Sequence, residues 1–227
     1  MAFGDVPELL DKHVGNTRVI FRPLRPQQGQ VRRLLDEHVL EDIGLVGRMP
    51  PAWTLPEALE RTPTPRLLVA VDGLSSAENL GALVRNCAAF RTQVLIVGET
   101  SGSPWLRRAV RAGMGTIFGL PTVEPPRLVL ALHALREAGV RCVAAHPHTR
   151  GRTLPEADLR ADCCLVFGSE GYGLSPEVLA ACDEAVAIPM PPDLDSLNVA
   201  GAAAVFLYEA NRQRGWVGAT PKARCIP

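Results

Sequence analysis

From Arg66 onward, short apolar runs alternate with amphipathic stretches along the chain. An apolar run of four to six residues between turn residues is typical of a buried strand. Such runs predict strands at 67–71, 94–97, 116–120, 141–145, 163–167 and 185–188. Helices are predicted from 75 to about 90 and at 105–111, 127–138 and 196–212, and Ser175 with Pro176 opens a further helix. Strands that alternate with helices favour an α/β fold, a mostly parallel sheet with helices on both faces.

Several predicted helices also carry capping signals. Ser75 with Glu78 matches a capping box, and Gly139 closes the helix that ends near Ala138. Ser196 can cap the final helix, which would place Asn198 in its first turn.

Residues 1–65 follow a different pattern, with no strong strand run. Four apolar residues share a helical face, namely Val31, Leu34, Leu35 and Val39. Thr54 and Glu57 offer a further capping box, and the Pro-rich stretch 62–65 resembles a linker. We therefore predict an N-terminal extension over 1–65 and a main domain over 66–227.

Composition narrows the class of protein. The 227 residues are 47% apolar, which is enough for one substantial core. Lys plus Arg and Asp plus Glu number 24 each, so any nucleic-acid binding must depend on local basic patches rather than on net charge. The chain has no run of 18 apolar residues and no apolar signal core at its start, so we expect a cytoplasmic protein without membrane contact.

The six cysteines include no C-x-x-C pair, and several lie in apolar runs. Such cysteines are typical of small buried hydrophobes in a reducing compartment. His146 and His148 have no further ligand cluster nearby, so we interpret them as a polar loop and predict no metal site.

Three distant stretches combine small residues with a few polar ones, at 79–86, 167–174 and 188–200. Each follows, or lies just beyond, a predicted strand. Ligand sites in open α/β sheets form at the carboxyl ends of strands, so we expect these stretches to build one pocket.

In the first stretch, Arg85 follows Ala82 and Gly81, which are too small to block its side chain. The guanidinium should therefore lean over a bare surface towards Asn79 and the anion-attracting start of the helix. Taken alone, Arg85 fits an ordinary exposed arginine on an amphipathic helix better.

In the second stretch, the glycines at 168, 171 and 173 allow close approach of backbone to a ligand. The order is not that of a dinucleotide fingerprint, a phosphate-binding P-loop or a nucleophile elbow. Glu170 could accept hydrogen bonds from a polar ligand. In the third stretch, the small residues of 200–204 allow another backbone to approach, or simply fill a core helix.

Together these residues resemble the SpoU class of RNA 2′-O-ribose methyltransferases, in the SPOUT superfamily. The resemblance covers about 66–227 and includes N-L-G-A-x-x-R-N, F-G-S-E-G-x-G-L-S, and I-P-M followed by S-L-N-V-A. It implies a C-terminal trefoil knot, a homodimer, and S-adenosylmethionine bound within the knot. The positions implied for the cofactor are Gly168, Glu170, Gly173, Ile188, Met190, Leu197 and Val199. The implied functional positions are Asn79, Arg85, Glu170, Ser196 and Asn198.

The implied reaction is attack of a ribose 2′-hydroxyl of rRNA or tRNA on the cofactor's methyl group. Arg85 is either the base or an electrostatic stabiliser, and its permanent charge favours the second role. Residues 1–65 do not clearly show the α/β pattern of the larger RNA-binding domain that several relatives carry, so we expect either a reduced extension or a missing start of a longer chain. A set of arginines is predicted to contact RNA phosphates, although a solvated loop and an exposed helix face explain them equally well: Arg18, Arg22, Arg25, Arg32, Arg33, Arg107, Arg108 and Arg111.

Two other classes remain open. One is a non-catalytic RNA-binding protein that keeps the fold. The other is a nucleotide-using or hydrolytic enzyme on a conventional doubly wound sheet. The retained polar residues argue against the first, and the absent phosphate-loop and nucleophile motifs argue against the second.

Overall fold

The computed structural model describes residues 50, 52–149 and 151–216, together with four short strands before them. The chain divides into two compact units, Met1–Pro51 and Ala52–Pro227. In the smaller unit, β1 (Asp11–Val14) pairs antiparallel with β2 (Thr17–Ile20), and β3 (Arg22–Pro23) with β4 (Leu45–Val46). These strands were not predicted, because none has a continuous apolar run.

Two of the predicted RNA-binding arginines lie in this smaller unit's strands, Arg18 in β2 and Arg22 in β3. Arg25, Arg32 and Arg33 lie outside the described residues. So does the predicted helical face at 31–39.

The larger unit is built from seven strands and six α-helices within its described residues. The strands are β5 (Leu67–Val71), β6 (Val94–Val97), β7 (Thr122–Val123), β8 (Arg141–Ala145), β9 (Arg152–Thr153), β10 (Cys163–Phe167) and β11 (Glu184–Ala187). The helices are α1 (Leu55–Arg61), α2 (Ala77–Ala89), α3 (Arg107–Ala112), α4 (Leu128–Glu137), α5 (Pro176–Ala181) and α6 (Val199–Gln213). The seven strands pair in parallel in the order β7-β6-β5-β10-β8-β11-β9.

Burial on both faces of the sheet follows from the period of two in each strand. In β5, Leu67, Val69 and Val71 face one core, and Leu68 with Ala70 faces the other. The first core also holds the apolar stripes of α2 and α6, whereas the second holds those of α1, α4 and α5. This arrangement confirms the predicted parallel α/β architecture.

Helices α2 and α3 cross closely because Gly81 has no side chain. A Cβ built on Gly81 would lie 2.3 Å from the Ala109 carbonyl oxygen and 2.7 Å from the Ala112 Cβ. The surface beside Gly81, predicted to be bare, is therefore filled by α3. The same close contact fixes α3 on the side of α2 that carries Arg85, one turn after Gly81.

Three local predictions differ from the structure. Residues Thr116–Gly119 form a 3₁₀ helix, and the strand lies after Pro121; buried Ile117 and Leu120 are three residues apart, which is the period of that helix. Helix α2 is capped by Ser76 rather than Ser75. Helix α6 is capped by Asn198 rather than Ser196, so Asn198 is not in its first turn.

The larger unit begins at Ala52 and therefore includes α1, whose predicted capping box between Thr54 and Glu57 is present. The prediction of an RNA-binding extension over 1–65 stays a prediction. Among the described cysteines, Cys87, Cys142, Cys163 and Cys164 are buried as free thiols and Cys182 is half-buried. No helix in the described part of the chain is long and apolar enough to cross a membrane.

Candidate functional site

The second and third motif stretches line one cavity of about 280 Å³ at the carboxyl ends of β8, β10 and β11. Its lining includes Ser196 and all seven positions implied for the cofactor, which are Gly168, Glu170, Gly173, Ile188, Met190, Leu197 and Val199. Parallel strands end at the same edge of a sheet, which is why loops separated in sequence meet here.

The glycine loop after β10 is closed at its base and free at its tip. Ser169 and Gly173 exchange backbone hydrogen bonds of 3.0 and 2.9 Å. A Cβ on Gly168 would lie 2.2 Å from the carbonyl carbon of Gly173, so only glycine fits at the base. Gly173 itself has φ +67°, a left-handed conformation that favours glycine. The loop therefore presents backbone groups to the cavity at close range.

Glu170 joins all three motif stretches through its carboxylate. The Asn79 Nδ2 donates to Glu170 Oε2 at 2.5 Å, and the Asn198 Nδ2 donates to Glu170 Oε1 at 2.5 Å. Asn198 also donates to the Asn79 Oδ1 at 3.1 Å. The three side chains thus form a closed polar network that fixes the Glu170 carboxylate at the cavity wall.

Asn198 holds its place in this network because it also caps α6. Its Oδ1 accepts hydrogen bonds from the Ala200 and Gly201 backbone amides, which leaves the Nδ2 to face Glu170. Asn86 of α2 donates to the Ala200 carbonyl at 2.7 Å, which attaches the start of α6 to α2. The first and third motifs are therefore joined at two points.

Asp72, at the end of β5, fixes the far end of the glycine loop. Its buried carboxylate accepts from the Ser175 backbone amide at 2.8 Å and from the Thr100 hydroxyl at 3.0 Å. Ser175 is the N-cap of α5, so this contact fixes the point where the loop ends. The sequence analysis did not single out Asp72, although a carboxylate directly after a buried strand is a detectable signal.

An apolar floor lies beneath these polar groups. Phe167 and Phe206 are buried and stacked edge to face, with ring centroids 5.7 Å apart. Val186, Ile188 and Val199 complete this side of the cavity. A cavity that combines an apolar floor with a few fixed polar groups is typical of a small-molecule site.

The loop after β8, interpreted above only as a polar loop, also lines the cavity through residues 145–148. The His146 amide donates to the Val186 carbonyl at 3.0 Å, which holds this loop against β11. His146 and His148 face each other edge to face at 6.1 Å. Within the described residues, no group of three or more His, Cys, Asp or Glu side chains is placed to hold a metal.

The predicted arginines of α2 and α3 do not line the cavity. Arg85 is exposed on α2, about 9 Å further along the helix axis than Asn79 and on a different face. Arg107, Arg108 and Arg111 are exposed on α3, so its outer surface is basic. These four residues belong to the neighbouring α2–α3 surface of the larger unit.

With this geometry described, comparison with known proteins identifies the family. The model of the SpoU rRNA methylase family matches residues 66–208. The chain belongs to this family. An uncharacterized tRNA/rRNA methyltransferase of Mycobacterium bovis is 36% identical over 156 residues, which are 67% of this chain and 54% of that protein. The chain thus spans about half the length of such relatives.

Solved structures show the same fold. The SpoU methyltransferase AviRb from Streptomyces viridochromogenes, in complex with AdoMet, is 29% identical with a TM-score of 0.68, covering 84% of this chain and 80% of that one. A crystal structure of an RNA 2′-O ribose methyltransferase is 29% identical with a TM-score of 0.64, covering 84% and 78%. The family resemblance found in the sequence is therefore confirmed.

Proposed function

We propose that this chain transfers a methyl group from S-adenosylmethionine to a ribose 2′-hydroxyl of rRNA or tRNA. The observation that carries the proposal is the convergence of the second and third motif stretches on one cavity, to which the Asn79–Glu170–Asn198 network joins the first. Family membership, an AdoMet-bound neighbour and a 2′-O ribose methyltransferase neighbour support the reaction class.

The cavity fits S-adenosylmethionine in its chemistry. Its volume lies close to the lower end of the range of about 300–1,000 Å³ that small-molecule pockets occupy. The apolar floor suits an adenine ring. The backbone groups at 168–173 and 188–190 suit its polar edges, because Gly168 admits no Cβ and keeps the loop backbone bare. These segments, with Leu197 and Val199, would hold the cofactor.

Bound S-adenosylmethionine would supply an electrophilic methyl group on a sulfonium. Glu170, held by two amide donors, keeps the motif stretches in register around it. Ser196 lines the same cavity and offers a hydroxyl to the ribose or the cofactor. A guanidinium is a hydrogen-bond donor and not a base in proteins, so the role of Arg85 is electrostatic: it binds the phosphate next to the target ribose or stabilises charge developing on the 2′-oxygen.

RNA would be held by arginines outside the cavity. Arg107, Arg108 and Arg111 present a basic surface on α3, which Gly81 fixes against α2. Phosphate contacts of this kind position the RNA without reading its sequence. Arg18, Arg22, Arg25, Arg32 and Arg33 would add contacts from the smaller unit.

We further propose that the active form is a cytoplasmic homodimer with a C-terminal trefoil knot. The outer face of α6 supports a second copy, because Gly201, Val205 and Tyr208 recur there at helical spacing and are exposed. Arg85 does not line the cavity of its own chain. In the proposed homodimer, Arg85 of one copy therefore acts at the cavity of the other copy. After the loop that follows β11, the chain comes back so that α6 contacts β10 and α2. This path supports the proposed knot.

Calorimetry with S-adenosylmethionine and radiolabelled methyl transfer to total RNA from cells that lack this protein together test the function. We expect binding with one site per chain and methyl groups recovered on ribose 2′-oxygens. Binding without transfer would favour a non-catalytic RNA-binding protein. Absence of S-adenosylmethionine binding would contradict the proposed function.

A further inference from the structure

The tip of the glycine loop carries an aromatic ring that nothing else in the described chain covers. Tyr172 is 98% exposed, although its residue lines the mouth of the cavity. A Cβ built on either neighbour, Gly171 or Gly173, would meet no atom within 4 Å. Both sides of the loop tip are therefore open to a ligand of some size.

The backbone that carries the exposed Tyr172 ring is held by hydrogen bonds. The Tyr172 amide donates to the Ser169 Oγ at 3.1 Å, and the Ser169–Gly173 pair closes the loop beneath it. The cavity's phenylalanines, Phe167 and Phe206, are buried and stack on each other, so they offer no free face. Of the Phe and Tyr side chains that line the cavity in the described part of the chain, Tyr172 is thus the one with an exposed ring.

We propose that Tyr172 stacks on an unpaired nucleobase of the RNA and thereby positions the target nucleotide over the cavity. This inference rests on the proposed function, because a ribose 2′-hydroxyl that enters the cavity brings its base to the mouth. Aromatic side chains stack on splayed single-stranded bases, and such stacking tolerates any base. Tyr172 would therefore favour loops or unpaired nucleotides over A-form duplex.

The test compares Tyr172→Ala and Tyr172→Phe with wild type and with Leu130→Ala. Leu130 is 61% exposed on α4 and does not line the cavity, so its substitution controls for loss of an exposed apolar side chain. The measurements are S-adenosylmethionine affinity by calorimetry, and kcat and KM for total RNA from cells that lack this protein. We expect Tyr172→Ala to raise the RNA KM about tenfold or more, with unchanged cofactor affinity. Tyr172→Phe should retain the wild-type KM.

An unchanged RNA KM in Tyr172→Ala would overturn the inference. So would a cofactor affinity that falls with it, since the ring would then act through the cofactor cavity. Failure of Tyr172→Phe to retain the KM would also overturn it, because the hydroxyl rather than the ring face would be responsible. If wild type itself transfers no methyl group, the proposed function fails instead, and this result is distinct from all of the others.

Discussion

Asn198 donates its side-chain amide to Glu170 at 2.5 Å while its side-chain oxygen caps α6. One residue therefore ties the third motif to the second and also starts the last helix. Because Asn79 donates to the other Glu170 oxygen, the carboxylate cannot rotate without breaking a contact to one of the asparagines. The position of this carboxylate depends on both amides.

The two roles of Asn198 can be separated by substitution. Asn198→Ala should lose about 1 kcal/mol of unfolding free energy, because the α6 amides lose their cap. Asn198→Ser should keep that stability, since serine caps as well as asparagine, but its shorter side chain has no amide to donate to Glu170. Urea denaturation measures the first effect. Methyl transfer measures the second, and we expect both variants to lose at least tenfold in kcat/KM. Normal turnover by Asn198→Ser would show that the contact to Glu170 is dispensable.

Gly168 and Gly171 lie in one loop and provide a test variant and its control for the cofactor site. Gly168→Ala places a Cβ 2.2 Å from the Gly173 carbonyl carbon, so the base of the loop must open. Gly171→Ala adds a Cβ that meets nothing within 4 Å at a φ that L residues adopt. We expect Gly168→Ala to weaken S-adenosylmethionine binding by at least tenfold in calorimetry, and Gly171→Ala to leave it within about twofold. Equal affinities in the two variants would contradict the role assigned to the loop base.

Short apolar runs predicted the sheet, because β5 and β10 are continuous five-residue apolar segments of the kind found in strands buried on both faces. The meeting of the motif stretches was also predictable, since parallel strands end at one edge. The 3₁₀ helix at Thr116–Gly119 was not, because so short an apolar run does not distinguish a strand from a turn of helix.

Tertiary contacts determine the rest, and no local pattern reveals them. His146 enters the cavity wall because β8 and β11 pair in parallel, a contact between residues that are distant in sequence. Asn198 caps α6 in place of Ser196 because its amide also finds Glu170, 28 residues away. Arg214 looks like any helix-end arginine in the sequence, yet it contacts several distant carbonyls.

Arg85 is predicted to act on RNA and not on the cofactor. Arg85→Ala should abolish methyl transfer while the calorimetric affinity for S-adenosylmethionine stays within about twofold, because Arg85 does not line the cavity of its own chain. Arg85→Lys should recover part of the activity, since it keeps the charge and loses the planar fork. Near-normal turnover of Arg85→Ala would refute the assignment.

The cysteines of the described residues should not react with thiol reagents in the folded chain. Burial raises the pKa of the Cys87, Cys142 and Cys182 thiols to about 12, so only about one part in ten thousand is thiolate at pH 8. We expect a Cys225→Ser variant, which removes the one cysteine outside the described residues, to react with Ellman's reagent only after denaturant is added. The raised thiol pKa values also make the free energy of unfolding depend on pH. They favour the native state below about pH 9, and this stabilisation is lost as the pH rises towards 12. Rapid reaction of the native variant would contradict the buried placement.

Arg214, directly after α6, should be the arginine on which stability depends most. Its guanidinium donates to the Leu159, Pro65 and Ala161 carbonyls at 2.8, 3.1 and 2.7 Å, joining the end of α6 to the chain before β5 and β10. Charge-assisted hydrogen bonds contribute about 1.5–3 kcal/mol each, and their losses are not additive. Arg214→Ala should therefore lose about 2–4 kcal/mol of unfolding free energy in urea, with an unchanged m-value. Arg212→Ala is the matched control: its exposed guanidinium pairs with Glu209 of the same helix, which also accepts from Gln213, and its loss should cost less than about 1 kcal/mol. If the two variants unfold at the same urea concentration, Arg214 does not hold these segments together.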